Sequence, residues 1–248
     1  MIQRKIIIGT SGATLIRGRR ATLKIHGAGS AAKLMEQAEY MRAIGPPFAR
    51  VRGLRDGRYA TPTLQPLQGP VADRLIAARH SLSLIWAKPA TLPDDWQGAH
   101  WRYVAELCTL HRLPWLQTAL YKQFFYVVVP WPGPVCATHG DATLDNMLMD
   151  GRLPAWIDPI PPSGKVPPFL AVDLGKLFQS ARGYERAKYD SAWPEADAHD
   201  TLVALSGFAP VLKVVARYWY LVHLLRLLRY ATPRIKNFAM EELNALCV

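Results

Sequence analysis

Cysteine is scarce in this 248-residue chain: Cys108, Cys136 and Cys247 are the only three, an odd number with no C-x-x-C pair. That scarcity excludes a disulfide framework and a thiolate zinc site, and it fits a reducing cytoplasm. Long uninterrupted hydrophobic runs are also missing. The longest, residues 211–228, is broken by Lys213, Arg217 and Arg226. Charges at that density are costly in a bilayer, so the segment reads as a packed amphipathic helix and no membrane span is expected. The first apolar stretch stops at Gly9, short for a secretory leader, with no convincing small-residue cleavage site after it. Acidic residues are few as well, 19 against 30 Lys and Arg, for a formal net charge of +11. A field of that sign disfavours polycations and attracts nucleotides, phosphorylated sugars, nucleic acids or acidic surfaces. What remains is an ordinary folding composition, 50% hydrophobic and 20% charged, too apolar for a disordered chain. Its length suits one good-sized domain or two small lobes sharing a cleft.

The front of the chain has strand texture. Residues 4–8, 13–17 and 21–26 are apolar-rich runs separated by Gly9-Thr10-Ser11-Gly12 and Gly18-Arg19-Arg20. Ser30 is a candidate N-cap for a helix through Ile44, with Leu34, Ala38 and Met41 on its apolar face and Gly45-Pro46-Pro47 to stop it. Two further strands, 49–54 and 58–64, flank Asp56-Gly57. Beyond Gln65 the periodicity turns helical, over 71–88, 100–110, 115–125, 173–184, 209–230 and 234–246, with a short buried strand predicted at 127–129. A strand-rich front joined to a helical rear is an α+β arrangement with a natural cleft.

Chemistry concentrates in T-H-G-D-A-T-L-D-N-M-L-M over 138–149, followed by Asp150-Gly151 and A-W-I-D-P over 155–159. The spacing predicts a hairpin turning at Asp150-Gly151, with Asn146 at its entry and Asp158 at its exit. Those two ends lie side by side, so an amide oxygen and a carboxylate converge on a hard oxygen site suited to Mg²⁺. Asp141, five residues upstream in the same loop, is where a carboxylate could orient an attacking hydroxyl and accept its proton in phosphoryl transfer.

H-G-D-x-x-x-x-N with I-D-P twelve residues later resembles the catalytic segment of the aminoglycoside phosphotransferase and choline kinase group, small-molecule relatives of the protein kinases. The resemblance implies a two-lobed protein kinase-like fold, with a small β-rich nucleotide-binding lobe over 1–65 and a mainly helical catalytic and substrate lobe over 66–248. It implies Asp141 as catalytic base, His139 as the loop-supporting member of the catalytic set, and Asn146 and Asp158 as magnesium ligands. D-L-G at 173–175 resembles the element whose aspartate buttresses the loop, which makes Asp173 structural. In the front lobe, Gly9, Ser11 and Gly12 match the glycine-containing turn over the nucleotide phosphates. Lys24 matches the lysine that contacts the α- and β-phosphates. Its expected partner is Glu36, with Glu39 available and Gln37 competing for the place. Gln65-Pro66-Leu67 resembles the hinge beside adenine.

The implied activity is ATP-dependent, with GTP as the alternative, Mg²⁺-dependent phosphorylation of a small-molecule hydroxyl. The charge balance argues against an aminoglycoside acceptor and for a neutral or anionic one. The stretch from Asp173 through Gly183-Tyr184-Glu185 resembles kinase-like proteins of surface-polysaccharide biosynthesis, pointing to a sugar or polyol. Nucleic acid is a weaker partner, since the eight tryptophans are scattered rather than gathered into a stacking platform. The competing readings are a non-catalytic basic binding protein and a protein-directed kinase; recognisable D-F-G and A-P-E elements are lacking for the second.

Overall fold

The computed structural model describes residues 5–8, 14–18, 20–26, 31–190 and 193–246. The expected N-cap Ser30, the turn residues Gly9, Ser11 and Gly12, and Cys247 lie outside them. The front sheet comprises β1 (Lys5–Ile8), β2 (Thr14–Arg17), β3 (Ala21–Ile25), β4 (Arg52–Arg55) and β5 (Arg58–Pro62). All its pairings are antiparallel, in the order β1-β2-β3-β5-β4. The β4–β5 turn places both Asp56 (φ 49°) and Gly57 (φ 70°) in the left-handed region. Two successive positive-φ residues match the right-handed strand twist, which is why Asp-Gly closes this hairpin.

Helix α1 (Ala31–Ile44) buries Leu34, Gln37, Ala38 and Met41, a stripe at helical spacing. It ends where Gly45 takes φ 73° and donates to the Met41 carbonyl at 3.0 Å. The chain then runs beside a second sheet. The Ala49 N–H donates to the Trp156 carbonyl at 2.9 Å, and the Trp156 N–H to the Pro47 carbonyl at 2.9 Å. That sheet has the order β6-β7-β8, from β6 (Gln65–Pro66), β7 (Met147–Asp150) and β8 (Leu153–Trp156). The expected hinge is therefore itself a short strand, with Gln65 opposite Met149 and Pro66 opposite Leu148.

The rear is helical: α2 (Val71–Trp86), α3 (Trp96–Leu110), α4 (Pro114–Gln123), α5 (Leu170–Ala181), α6 (Tyr184–Tyr189), α7 (Ala198–Leu205), α8 (Pro210–Leu228) and α9 (Pro233–Leu246). The strand predicted at 127–129 does not form. Instead α4 runs on into a π-helical turn, Phe124–Val128, closed by the Val129 N–H to the Phe124 carbonyl at 2.8 Å. The β-branched run favours a strand, but Phe124 and Val128, both 0% exposed, are the i and i+4 positions that the core accepts while Tyr126 points out. Among the described residues, no single helix is long and apolar enough to cross a membrane.

The rear core is centred on α5 against α8. Gly175 permits the close approach: a Cβ there would lie 2.8 Å from both Trp219 Cβ and Tyr220 N, and 3.0 Å from the Ala216 carbonyl oxygen. Backbone cannot yield as a flexible side-chain tip can. Gly175→Ala is therefore expected to destabilise the fold by about 1–3 kcal/mol. Thermal unfolding should show this as a fall of roughly 2–10 °C; an unchanged melting temperature would mean that the helices are not packed this closely.

Candidate active site

The loop from Thr138 to Asn146 is held by side chains from beneath. Asp173, the fourth residue of α5, is 0% exposed. Its Oδ2 accepts the His139 N–H at 2.8 Å and the Trp86 Nε1–H at 3.0 Å, and its Oδ1 accepts the Gly140 N–H at 2.7 Å. Burial raises the Asp173 carboxyl to about 6 against the pull of those three donors. Gly140 has φ 73°, and a Cβ there would lie 2.2 Å from the Ile160 carbonyl oxygen, so the middle residue of H-G-D has to be glycine.

His139 is fully buried. Its Nε2 donates to the Ile157 carbonyl at 2.9 Å, which leaves Nδ1 to accept the Asp141 N–H at 3.2 Å. Burial pushes its pKa down to about 4, against the opposing pull of Asp141 and the Ile157 carbonyl, so the ring is neutral near pH 7. Of the catalytic set expected from the sequence, His139 is thus the member that shapes the loop rather than one exposed to a reacting group. From the front, α1 touches both flanks of this segment: Tyr40 donates to the Thr138 carbonyl and Gln37 to the Pro159 carbonyl, each at 2.7 Å.

Asp141 is the loop's partly open carboxylate, its side chain 30% exposed. Oδ1 lies 2.9 Å from Lys176 Nζ. Asn146 Nδ2 donates to the Asp141 carbonyl at 2.9 Å and to Oδ2 at 3.1 Å. Burial would raise its pKa, but the Lys176 ammonium and then Arg226 outweigh it and hold the group below the usual carboxylate range.

The hairpin register, Met147 opposite Trp156, sets Asn146 and Asp158 at adjoining strand ends, and the Ile157 N–H donates to the Asn146 carbonyl at 3.0 Å. Asp158 takes φ 56°. A non-glycine residue in that region costs about 1–3 kcal/mol and persists only where its surroundings over-determine it. Here Lys24 forms an ion pair with Oδ1, and Tyr59 lies beside the same carboxylate, its pKa raised by burial first and then by that charge. Tyr59 faces Lys24 across β3 and β5.

The expected Lys24–Glu36 pair does not form. The phase of α1 turns Gln37 inward, 7% exposed, and leaves Glu36 and Glu39 exposed, while Lys24 pairs with Asp158. Lys176, Glu185 and Tyr59 are site residues that the motifs passed over. Lys176 carried the same signal as Lys24, a lysine between apolar neighbours in G-K-L-F; Glu185 and Tyr59 carried none.

Lys24 and Asp158 form the polar end of a cleft whose walls include Leu15, Leu64, Leu148 and Ile157. A cleft with apolar walls beside a cation can take a planar base with a phosphate tail. Among the described residues no three His, Cys, Asp or Glu side chains gather into a metal site. The hairpin offers two hard oxygens instead. With Asn146 Nδ2 engaged on Asp141 and Asp158 Oδ1 on Lys24, the Asn146 amide oxygen and Asp158 Oδ2 remain. Mg²⁺ suits such a set, taking few protein ligands and completing its shell with phosphate oxygens and water.

No protein-family model and no curated protein matches the sequence. Solved structures match throughout the fold. An ethanolamine kinase from Plasmodium vivax is 13% identical, with TM-score 0.59, over 100% of this chain and 82% of its own. The GDP complex of an aminoglycoside 2'-phosphotransferase-IIIa is 12% identical, with TM-score 0.61, over 99% and 92%. A macrolide 2'-phosphotransferase from Brachybacterium faecium is 16% identical, with TM-score 0.59, over 98% and 92%. The chain has the protein kinase-like fold that these small-molecule kinases share, a small antiparallel front sheet on a mainly helical rear.

A second buried acid secures the far end of the loop. Glu185, 0% exposed, accepts the Leu144 N–H at 2.9 Å and the Ser180 hydroxyl at 2.5 Å through Oε1. Burial first, then the Asp145 charge, pushes it up to about 7 from 4.5. The native state therefore binds this proton more tightly than the unfolded chain. The resulting stabilisation is complete below about pH 4.5 and is lost as pH rises through about 7. Glu185→Gln retains an acceptor without the charge. Across melts from pH 5 to 8, its melting temperature should gain steadily on the wild type; a difference independent of pH would contradict the assignment.

Proposed function

We propose that the chain is a nucleoside-triphosphate- and magnesium-dependent phosphotransferase acting on a hydroxyl of a small, neutral or anionic acceptor such as a sugar or polyol. ATP is the donor of choice and GTP the alternative. The observation that carries the reading is a pair of side-chain contacts, Lys24 with Asp158 and Asn146 with Asp141, linked across the hairpin ends by the Ile157 N–H to the Asn146 carbonyl. On this reading, residues 1–65 serve the nucleotide and residues 66–248 the chemistry and the acceptor. Lys24 binds nucleotide phosphate, and Asn146 and Asp158 hold the metal. When bound, magnesium neutralises charge on the phosphate oxygens. Asp141 orients the acceptor hydroxyl. As the acceptor oxygen bonds to the terminal phosphorus, the bond to the nucleoside diphosphate breaks and the hydroxyl proton passes to the Asp141 carboxylate.

The charge of the acceptor follows from α8. His223 donates Nε2–H to the Val172 carbonyl at 3.0 Å, so its Nδ1 accepts from Arg226 at 3.0 Å. Among the described residues no carboxylate pairs with that guanidinium. A half-buried, positioned arginine with no carboxylate in ion-pair contact suits an anionic acceptor group better than a cationic one.

Nucleotide consumption with Mg²⁺ against sugars, sugar phosphates, aminoglycosides and amino-alcohols tests the reading. Asp141→Asn is expected to lower transfer by roughly 10²–10⁴-fold while nucleotide still binds. Asp158→Asn should abolish the magnesium-dependent part of nucleotide affinity. Failure of the wild type to bind either nucleotide with Mg²⁺ by calorimetry would overturn the assignment.

A further inference from the structure

Lys176 is buried, 4% exposed, on a helix otherwise given to core packing. An ammonium in such a place is expensive unless paired, and a Met or Leu would pack there at lower cost. Its pairing is specific: Nζ lies 2.9 Å from Asp141 Oδ1 and 3.2 Å from Gln179 Oε1. The other carboxylate oxygen, Oδ2, takes the Asn146 amide. Asp173 lies three residues before Lys176 on α5, so the two point the same way. One helix thus fixes the loop twice, its backbone through Asp173 and the Asp141 side chain through Lys176.

We propose that Lys176 is a positioning residue of the transfer site, holding the Asp141 carboxylate in one rotamer so that its free lone pairs meet the acceptor hydroxyl. The proposal rests on the phosphotransferase reading above. It accords with a loose transition state, in which the carboxylate's orientation contributes more than its basicity. The grip needs no acceptor and no nucleotide, and it leaves the proton path unchanged: the hydroxyl proton goes to Asp141, and Lys176 keeps its charge.

Lys176→Met removes the ammonium and keeps most of the stem. Two measurements test it. The first is the side-chain amide of Asn146 by ¹⁵N NMR, assigned with Asn146→Asp. Release of Asp141 should shift this signal and speed its hydrogen exchange at least several-fold. The second is transfer to whichever acceptor the nucleotide-consumption screen yields: kcat should fall roughly 10–100-fold while the nucleotide KM stays within about twofold. A lysine that merely steadied α5 would lower the melting temperature and move neither readout. Should the Met variant fail to fold, Lys176→Gln, which keeps a shorter donor, is expected to move both in the same direction by less.

An unchanged Asn146 amide overturns the proposal, and so does an unchanged kcat. The amide readout is decisive even without an acceptor, so it separates this proposal from the reading beneath it. If Asp141→Asn abolishes transfer and Lys176→Met does not, the kinase reading stands and Lys176 is only structural. If Asp141→Asn changes nothing, both fall.

Discussion

The site depends on a buried carboxylate, Asp173, that accepts three N–H donors. Two of them are consecutive backbone amides, those of His139 and Gly140. Such a pair turns the chain sharply, and only glycine can occupy the second position. Ionising an enclosed acid is unfavourable, which is why burial lifts its pKa towards 6. The three donors and the rigid seat on α5 hold it in place. Without that clamp the loop would have to satisfy the amides in water, and Asp141, one residue on, would have no defined direction.

A second constraint couples the front to this loop. In the expected pattern, a glutamate on α1 draws Lys24 into position. Here α1 is attached by neutral hydrogen bonds instead, Gln37 to Pro159 and Tyr40 to Thr138, and Lys24 is drawn by Asp158. The front sheet and the hairpin therefore meet through the very carboxylate proposed to hold the metal. On the proposed reading, a nucleotide in the cleft shares Lys24 with Asp158, which couples nucleotide and metal binding more directly than a separate lysine–glutamate pair would.

Much of this was legible in the sequence because it is local. The hairpin at Asp150-Gly151, the adjoining ends at Asn146 and Asp158 and the stop after Ile44 rest on spacing and turn chemistry, while the structural role of Asp173 is what the resemblance of D-L-G implied. What was not legible depends on helix phase and tertiary packing. The choice between Glu36 and Gln37 turned on which face of α1 meets the hairpin: Gln37 shares the face of Leu34, Ala38 and Met41, and Glu36 and Glu39 lie off it. Residues 127–129 carry strand propensity, yet Phe124 is packed against Trp96, His100 and Trp101, and that contact fixed a helical course. Short α6 and α7 were missed; the capping box of Asp197 and Asp200 at the start of α7 was the signal available. Glu185 touches the loop only through the fold, forty-one residues from its partner Leu144.

The glycine of D-L-G links the packing of the rear lobe to its charge. Because Gly175 has no Cβ, α8 can lie against α5 closely enough for His223 to reach the Val172 carbonyl. That bond fixes the histidine tautomer, and the tautomer aims Arg226. Val172 and Lys176 are one turn apart on the same face of α5, so Arg226 and Lys176 stand on neighbouring levels beside Asp141. A wider helix crossing would still bury the apolar residues, but it would carry Arg226 away from the base. The same close contact that stabilises the rear core therefore also sets where Arg226 stands. On the proposed reading, those two cations, Arg226 and Lys176, stand where an anionic acceptor or a transferring phosphoryl group would need positive charge.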